Sequence, residues 1–302
     1  MNKETLGTIF ALIAAVISGI AIPINKLFIV SIDPLVFTAI RAVLIGIGFF
    51  AISMWQSVST HEKFRKVSWG YLLGIAVIGG ALAFYLFFSG LKLTTASSSA
   101  FLQKTIPLYV ALLAFLFIGE KITRKMWYAI GIMLIGTIAI YASSGNPAQL
   151  WENPSLGNIM IIAATVLWAV EAVIAKKAMI IGESNFTVTF ARMFIGGIML
   201  LGLVVILGKT SALTDISVQQ WTNILISTGI LFAYVLFWYA GIKLINVSKA
   251  TSLLLLAPVI SAIFGIVIFS EQISALQMLG STLILIGAYF VSGVRSEFQE
   301  KI

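Results

Sequence analysis

One pattern of residues occurs twice in this chain, at a nearly constant offset of 151 positions. The matched pairs include Arg41 and Arg192, Gly90 and Gly241, Pro107 and Pro258, and Glu120 and Glu271. A chain with so few charged and proline residues would not keep one register through all of them by chance. The sequence therefore predicts a duplicated unit of about 150 residues.

The composition places this duplicated unit in a membrane. Hydrophobic residues make up 60% of the chain and charged residues only 10%, and the mean hydropathy is +1.07. A soluble domain carries roughly 25% charged residues. A chain this apolar lacks the polar surface that water requires, which predicts an integral membrane protein.

Ten stretches have the length and apolarity of membrane-spanning helices, which need about 20 residues each. They are residues 6–25, 34–56, 69–91, 95–118, 124–142, 156–178, 186–208, 219–243, 247–269 and 275–294. None shows the even alternation of a barrel strand. The predicted fold is therefore an all-α integral membrane protein.

The number of spans in each copy fixes how the copies are related. Residues 1–142 and 156–294 each hold five spans, and the turn-rich segment Ser143–Ser155 joins them. Because five is odd, the second copy enters the membrane from the side opposite to the first. Two inverted five-helix repeats around a central cavity are typical of alternating-access transporters.

Lysine and arginine indicate the orientation of the chain. Most of the 19 lie at the membrane side that holds the N-terminus, with Lys176 and Lys249 counted among them. Both termini are thus predicted to be cytoplasmic, in a multi-pass protein of the plasma membrane. The net charge of +8 then reflects this bias and predicts no nucleic-acid partner.

Several motifs carry a family resemblance. They are Pro34 to Arg41 with Asn185 to Arg192, Gly90–Pro107–Glu120 with Gly241–Pro258–Glu271, and Leu167-Trp168-Ala169 followed by Lys176. With these motifs the chain resembles the EamA-type exporters of the drug/metabolite transporter superfamily. It departs in the first helix, where Ser18-Gly19 stands in place of the tryptophan. The resemblance implies ten helices with the fifth and tenth peripheral, and gradient-driven export of amino acids, amines, drugs or other metabolites.

Charges and prolines that obey the duplication favour structural or gating roles. Arg41 and Arg192 lie at mirror depths, which favours ties between helices over direct substrate contact. Pro107 and Pro258 each remove a backbone hydrogen bond and predict a kink. The carbonyl groups they free must face protein or water, which favours cavity-lining helices, although a static packing kink explains them equally well.

Glu120 and Glu271 end the fourth and ninth helices. The simpler interpretation is a solvated charge, or for Glu120 a pair with Lys121, Arg124 or Lys125. The alternative is a gate with one carboxylate on each side of the membrane.

Charges that break the duplication are better predictors of specificity. Lys104 is matched by Leu255, and Glu171 by Ala21 at an offset of 150. Either the two form a buried salt bridge, or both face the cavity, where Lys104 would hold a carboxylate and Glu171 an amine or a proton. We predict the second arrangement, with Gln103 beside Lys104 as a further substrate contact.

Aromatic residues in the third, sixth and eighth helices complete the predicted substrate site. Tyr85, Trp168 and Tyr234 would suit an apolar or aromatic side chain if their helices face the cavity. A lipid-facing aromatic belt is the alternative for much of this group.

These features predict a secondary transporter of a small organic metabolite, most simply an exporter of an amino acid or related zwitterion. A proton or sodium gradient, or facilitated diffusion, could drive transport, and no cofactor, metal or catalytic constellation is predicted. One alternative is an organic-anion exchanger that uses Lys104, Arg41 and Arg192, and another is a channel. Gly70-x-x-x-Gly74 would serve a homodimer as readily as packing within one chain.

Overall fold

The computed structural model describes residues 2–28, 31–59, 68–94, 96–143, 155–269 and 273–296. Regular structure in these ranges is helical, and ten stretches are long and apolar enough to cross a membrane. Spans 1 to 10 run Lys3–Asn25, Pro34–Trp55, Trp69–Leu91, Ser98–Ile118, Arg124–Ala142, Leu156–Ile180, Asn185–Ile206, Val218–Leu244, Val247–Val267 and Ala275–Ser292. The ten predicted spans are confirmed. Glu271 and most of the predicted linker lie outside the described residues.

Most spans are single α-helices, two of which continue beyond the span as Lys3–Phe28 and Pro34–Ser59. Span 3 consists of the α-helix Trp69–Ile75, the π-helical segment Ala76–Leu82 and the α-helix Ala83–Leu91. Span 7 consists of the α-helix Asn185–Phe190, the π-helical segment Ala191–Ile195 and the α-helix Gly196–Ile206. Span 4 divides into Ala96–Gln103 and Ile106–Ile118, and span 9 into Val247–Leu253, the 3-10 turn Leu254–Leu256 and Ala257–Phe269. A short helix, Ser211–Thr214, precedes span 8.

The interruptions of spans 4 and 9 fall immediately before their prolines. Pro107 cannot donate a hydrogen bond to the carbonyl group of Gln103, and Lys104 and Thr105 form a turn at that point. Pro258 follows the 3-10 turn of span 9 in the same way. Each proline therefore ends one helical segment and begins another, which agrees with the predicted kinks.

Glycines let the spans approach closely, and several approaches recur at the duplication offset. A Cβ atom on Gly46 would lie 2.5 Å from Phe194, and one on Gly197 would lie 2.9 Å from Val43. Both contacts join spans 2 and 7. The offset of 151 relates Gly46 to Gly197 and Val43 to Phe194, so each contact is the counterpart of the other in the duplication. Two units related by a two-fold axis would make this reciprocal contact. The inverted repeat stays a prediction, which these contacts favour.

Spans 5 and 10 pack on each other through a similar crossing. A Cβ atom on Gly136 would lie 2.5 Å from the carbonyl oxygen of Gly280, and the reverse distance is also 2.5 Å. Small residues of this kind allow two membrane helices to pack backbone to backbone.

Glu120 closes the end of the bundle where span 1 begins and span 10 ends, which we call the terminal end. Its carboxylate accepts hydrogen bonds from the backbone N–H groups of Val247 (2.7 Å) and Ser248 (3.1 Å), and from the Ser248 hydroxyl (2.5 Å). These N–H groups begin span 9, where a helix lacks internal acceptors and favours negative charge.

The simpler interpretation of Glu120 was therefore wrong, because its side chain is buried and binds a helix start 127 residues away. Burial is the largest influence on its pKa and raises it, against the hydrogen bonds from Ser248 and Val247 and the charge of Lys176.

Two buried lysines bind helix C-termini at the same end. Lys176 donates to the carbonyl oxygens of Ile242 (2.6 Å) and Ile245 (2.8 Å), where span 8 ends. Lys249 donates to the carbonyl oxygens of Ser292 (3.0 Å) and Val294 (2.7 Å) after span 10, and it pairs with Glu4 at 2.6 Å. Cations at helix C-termini complement the helix dipole. These two lysines are thus structural, and they lie at the same end as the N-terminus, as the count of charges had assumed.

Replacing the capping carboxylate of span 9 tests its contribution to stability. We expect Glu120→Gln to lower the free energy of unfolding by about 1–3 kcal/mol, because an amide cannot accept all three hydrogen bonds. The measurement is thermal unfolding of the purified protein in detergent. Arg124→Gln, an exposed change in the same connection, should stay within about 0.5 kcal/mol of the parent. Equal melting temperatures for Glu120→Gln and the parent would show that the cap is dispensable.

Candidate functional site

A cavity of about 270 Å³ lies among spans 1 to 4 and 6 to 9. Spans 5 and 10 contribute no residue to its described lining. The lining reaches from Asn25 and Thr38, near the far end where span 2 begins, to Trp238 and Thr251. The contacts of Glu120 with Ser248 and of Lys176 with Ile245 lie between Thr251 and the terminal end. A cavity of this size accommodates a small organic solute.

Glu171, Arg192 and Tyr239 meet at the wall of the cavity. The Tyr239 hydroxyl donates to Glu171 Oε1 at 2.6 Å, and Arg192 Nη1 donates to the Tyr239 oxygen at 3.0 Å. Arg192 Nη1 also lies 3.4 Å from Glu171 Oε2. The three residues join spans 6, 7 and 8, and Glu171 is 1% exposed. We call this group the Glu171 triad.

Span 3 leaves room for the triad at a glycine. A Cβ atom on Gly79 would lie 2.2 Å from Glu171 Cγ, so any larger residue would displace the carboxylate. Gly79 belongs to the π-helical segment of span 3, and its carbonyl oxygen accepts a hydrogen bond from Trp168 Nε1 at 3.2 Å. Glycine and the π-helical backbone together place span 3 directly against the buried carboxylate.

Lys104 lines the cavity at the interruption of span 4. It is 8% exposed, and it has neither a hydrogen bond from its side chain nor an ion pair with any residue that the structure describes. The alternative prediction, a Lys104–Glu171 salt bridge, is not formed, because Glu171 contacts Arg192 instead. Lys104 therefore presents an ammonium group to the cavity that a ligand could bind.

Arg41 is a second cation at the cavity wall. Its guanidinium group lies 4.5 Å from the centre of the Phe37 ring, and it is 7% exposed. Its Nε atom has no hydrogen-bond partner in the described ranges, and the same holds for the nearby hydroxyl of Thr38. Arg41 and Arg192 thus both line the cavity, although their symmetry favoured purely structural roles.

Aromatic rings form an apolar wall beside these charges. Trp168 packs against Phe84 at 5.3 Å and Phe87 at 5.2 Å between ring centres, and Tyr234 stacks on Trp238 at 6.4 Å. Trp168, Tyr234 and Gln103 line the cavity, so the structure brings these predicted residues together with Lys104 and Glu171. Tyr85 is not part of the described lining.

Tyr239, Asn25 and Thr38 were not among the residues predicted for the site. In the duplication Tyr239 is matched with Phe88, so a hydroxyl group is present in one copy only, and this difference could have indicated a role for Tyr239. Nothing in the local sequence distinguished Tyr239 from the neighbouring aromatic residues. Pro107, Pro258 and Glu120 lie outside the described lining and act on helix geometry rather than at the cavity surface.

An ion pair joins three spans at the far end. Asp33 Oδ1 accepts hydrogen bonds from the backbone N–H groups of Leu35 (2.9 Å) and Val36 (3.4 Å) and so caps span 2. Its Oδ2 binds Lys209 after span 7 at 2.5 Å, and Lys92 after span 3 lies 3.7 Å away. Partial burial, the largest influence, raises the pKa of Asp33, but Lys209 and the two N–H groups outweigh it and the net pKa is lowered.

The sequence profile of the EamA-like transporter family matches residues 5–142 and again residues 155–293. The chain belongs to this family. It is a multi-pass membrane protein of a transporter family, and the two matches cover the two predicted copies.

Relatives extend across most of the chain. An "uncharacterized transporter", YyaM of Bacillus subtilis (strain 168), is 29% identical, over 77% of this chain and 76% of its own length. An "uncharacterized transporter" of Methanothermobacter thermautotrophicus is 23% identical, over 96% and 87%. The WAT1-related protein At3g02690 of Arabidopsis thaliana is 25% identical, over 86% and 63%.

A solved crystal structure shares the fold. It superposes with a TM-score of 0.75 and covers 95% of this chain and 98% of its own, at 18% identity.

The far-end ion pair gives a pH-dependent prediction. Asn caps helices as well as Asp, so Asp33→Asn removes the charge and retains the cap. Because the folded-state pKa of Asp33 is lowered, the pair stabilises the protein above the unfolded-state pKa, and this contribution is lost as the pH falls through the folded-state pKa. We expect Asp33→Asn to cost at most about 1 kcal/mol at neutral pH. Thermal unfolding should show this difference shrinking below about pH 4. A difference that is independent of pH would contradict the ion pair.

Proposed function

We propose that this family member is a secondary transporter for a small organic carboxylate with an apolar or aromatic body, and that a neutral amino acid is the first compound to test. The observation that carries the proposal is Lys104, a buried ammonium group on the cavity wall without a partner among the described residues. An unpaired charge inside a membrane protein is costly, and it is retained where a ligand supplies the opposite charge.

The charge balance of the cavity favours an anionic group. Arg41, Lys104 and Arg192 line it, whereas Glu171 is the acidic residue of the described lining. Arg192 and Glu171 offset each other at 3.4 Å, so two positive charges remain without a counter-charge. A substrate carboxylate near Lys104 would reduce this imbalance.

The aromatic wall favours an apolar body on the same substrate. Trp168 and Tyr234 lie on the cavity wall with Phe84, Phe87 and Trp238. Rings of this kind bury apolar and aromatic groups, and the few polar groups around them fix the orientation of the ligand.

Alternating access is the proposed means of transport. Transporters built from repeats bind substrate near the bilayer midplane and rearrange around that site. In the described conformation the terminal end is held by contacts such as Glu120 with Ser248 and Lys249 with Glu4. Opening that end would require some of these contacts to separate. Secondary transport runs down the combined gradients, so export is expected where the substrate accumulates inside.

A zwitterion is the second form of substrate that these residues favour. Glu171 is the cavity carboxylate that an amine would use, but it already contacts Tyr239 and Arg192. An amine must displace one of these partners, whereas a carboxylate finds Lys104 unoccupied. We therefore propose that the carboxylate contributes more to binding than the amine.

Counterflow in proteoliposomes tests whether the carboxylate contributes more to binding than the amine. The test uses three compounds that share a phenylethyl body. Vesicles preloaded with phenylalanine, 3-phenylpropionate or phenethylamine differ only in which charged groups their cargo carries. We expect saturable counterflow with the first two and none with the amine, because only the first two can bind Lys104. Stimulation by the amine alone would overturn the carboxylate assignment. Flux that does not saturate and shows no counterflow would favour a channel.

Substitution of Lys104 tests the residue itself. Loss of a charge-assisted hydrogen bond costs about 1.5–3 kcal/mol, so Lys104→Met should weaken apparent substrate affinity roughly 10- to 100-fold. The same variant should melt at or above the parent temperature, because it removes an unpaired buried charge. Lys104→Arg retains the charge and should restore part of the binding, and Lys177→Met is the control outside the cavity. Unchanged affinity in Lys104→Met would contradict the assignment.

A further inference from the structure

In the Glu171 triad, Arg192 donates its hydrogen bond to Tyr239 and not to the Glu171 carboxylate. Arg192 Nη1 donates to Tyr239 at 3.0 Å and only approaches Glu171 Oε2, at 3.4 Å. The Nε atom of Arg192 is buried and has no hydrogen-bond partner among the described residues. The strongest arginine–carboxylate pairs are bidentate, with two parallel hydrogen bonds. This pair lacks both, so Arg192 retains donor capacity that Glu171 does not use.

We infer that Glu171 is the binding site for a coupling proton, and that its protonation releases Arg192 to bind the substrate carboxylate. The proton and the carboxylate would then bind together and be transported in the same direction. This inference rests on the proposed function, since it assigns a second role to the same cavity.

The charges at the site explain why the two ligands would favour each other. With Glu171 ionised, a substrate carboxylate would compete with Glu171 for Arg192. A proton on Oε2 removes the nearer negative charge, while Oε1 keeps its hydrogen bond from Tyr239. Arg192 is then a buried cation without a counter-charge, a costly state that the substrate carboxylate relieves.

The other groups around Glu171 support a proton rather than a metal ion. Span 7 contributes Arg192, span 8 contributes Tyr239 and Tyr234, and spans 4 and 2 contribute Lys104 and Arg41 across the cavity. Span 3 contributes Gly79, and spans 1 and 9 contribute no charged residue to the described lining. A cation would meet three positive side chains and one carboxylate, whereas a proton needs only Glu171.

Thermodynamic linkage makes this coupling measurable. If protonation strengthens carboxylate binding, then bound carboxylate must raise the proton affinity of Glu171 by the same factor. With full coupling, apparent affinity changes up to about tenfold per pH unit in the range where Glu171 titrates. An acidic exterior would then drive uptake, and export would require an outward substrate gradient large enough to exceed the proton gradient.

The experiment measures the affinity of purified protein for 3-phenylpropionate from about pH 6 to about pH 9, where this probe stays ionised. For the parent protein we expect affinity to rise as the pH falls. Glu171→Gln mimics the protonated side chain, so its affinity should depend on pH less steeply than that of the parent and should match the parent at the acidic limit. The same variant should lose accumulation driven by a pH gradient. Asp215→Asn, a change of an exposed carboxylate at the far end, should keep the parent slope.

Tyr239→Phe provides an independent variant if Glu171→Gln fails to fold. It removes the hydrogen bond that stabilises the ionised Glu171, so the rise in affinity should begin at a higher pH than in the parent. A parent slope in Glu171→Gln, or an unshifted profile in Tyr239→Phe, would overturn the inference. Saturable binding by the parent without pH dependence would overturn only the inference. Absence of saturable binding at every pH would overturn the proposed function with it.

Discussion

The lack of hydrogen-bond partners in lipid hydrocarbon determines where the few charges of this chain lie. A buried ion in such a medium needs a partner within the protein. At the terminal end the partners are helix termini. Glu120 binds the start of span 9, and Lys176 and Lys249 bind the last carbonyl groups of spans 8 and 10. These charges fix the spans against one another mainly through backbone groups, and Lys249 also pairs with Glu4.

The cavity charges follow the opposite pattern. Lys104 lacks a partner in the described part of the chain, and the Nε atoms of Arg41 and Arg192 are likewise unsatisfied there. Glycine at position 79 admits the Glu171 carboxylate to the same space. Three of the five buried side-chain polar atoms that lack a hydrogen-bond partner in the described residues belong to Thr38, Arg41 and Arg192 of the cavity lining, while the charges of Glu120, Lys176 and Lys249 at the terminal end have partners. This contrast separates charges that stabilise the fold from charges that are available for binding.

The fold was predictable because its signal is local. Each span is an apolar run of about the length that a bilayer requires, and the duplication independently supports the number of spans.

Lys104 and Glu171 were also predictable, since charges within spans must face protein or water. Their partners were not, because the contact of Glu171 with Arg192 depends on how spans 6 and 7 cross. The prediction for Glu120 was wrong for a related reason. Lysines and an arginine follow Glu120 closely in sequence, whereas its partners in the structure are backbone groups of a distant span.

The duplication also accounts for the specificity that we propose. Several residues at matched positions line the cavity together, including Arg41 with Arg192 and Phe87 with Trp238. At two other matched pairs one copy is charged and the other apolar: Lys104 opposes Leu255, and Glu171 opposes Ala21. A fully symmetric cavity would bind a solute in two equivalent orientations. Because each of these pairs is ionisable in one copy and apolar in the other, the two orientations are not equivalent, and the cavity favours a single orientation of a solute with one charged and one apolar end.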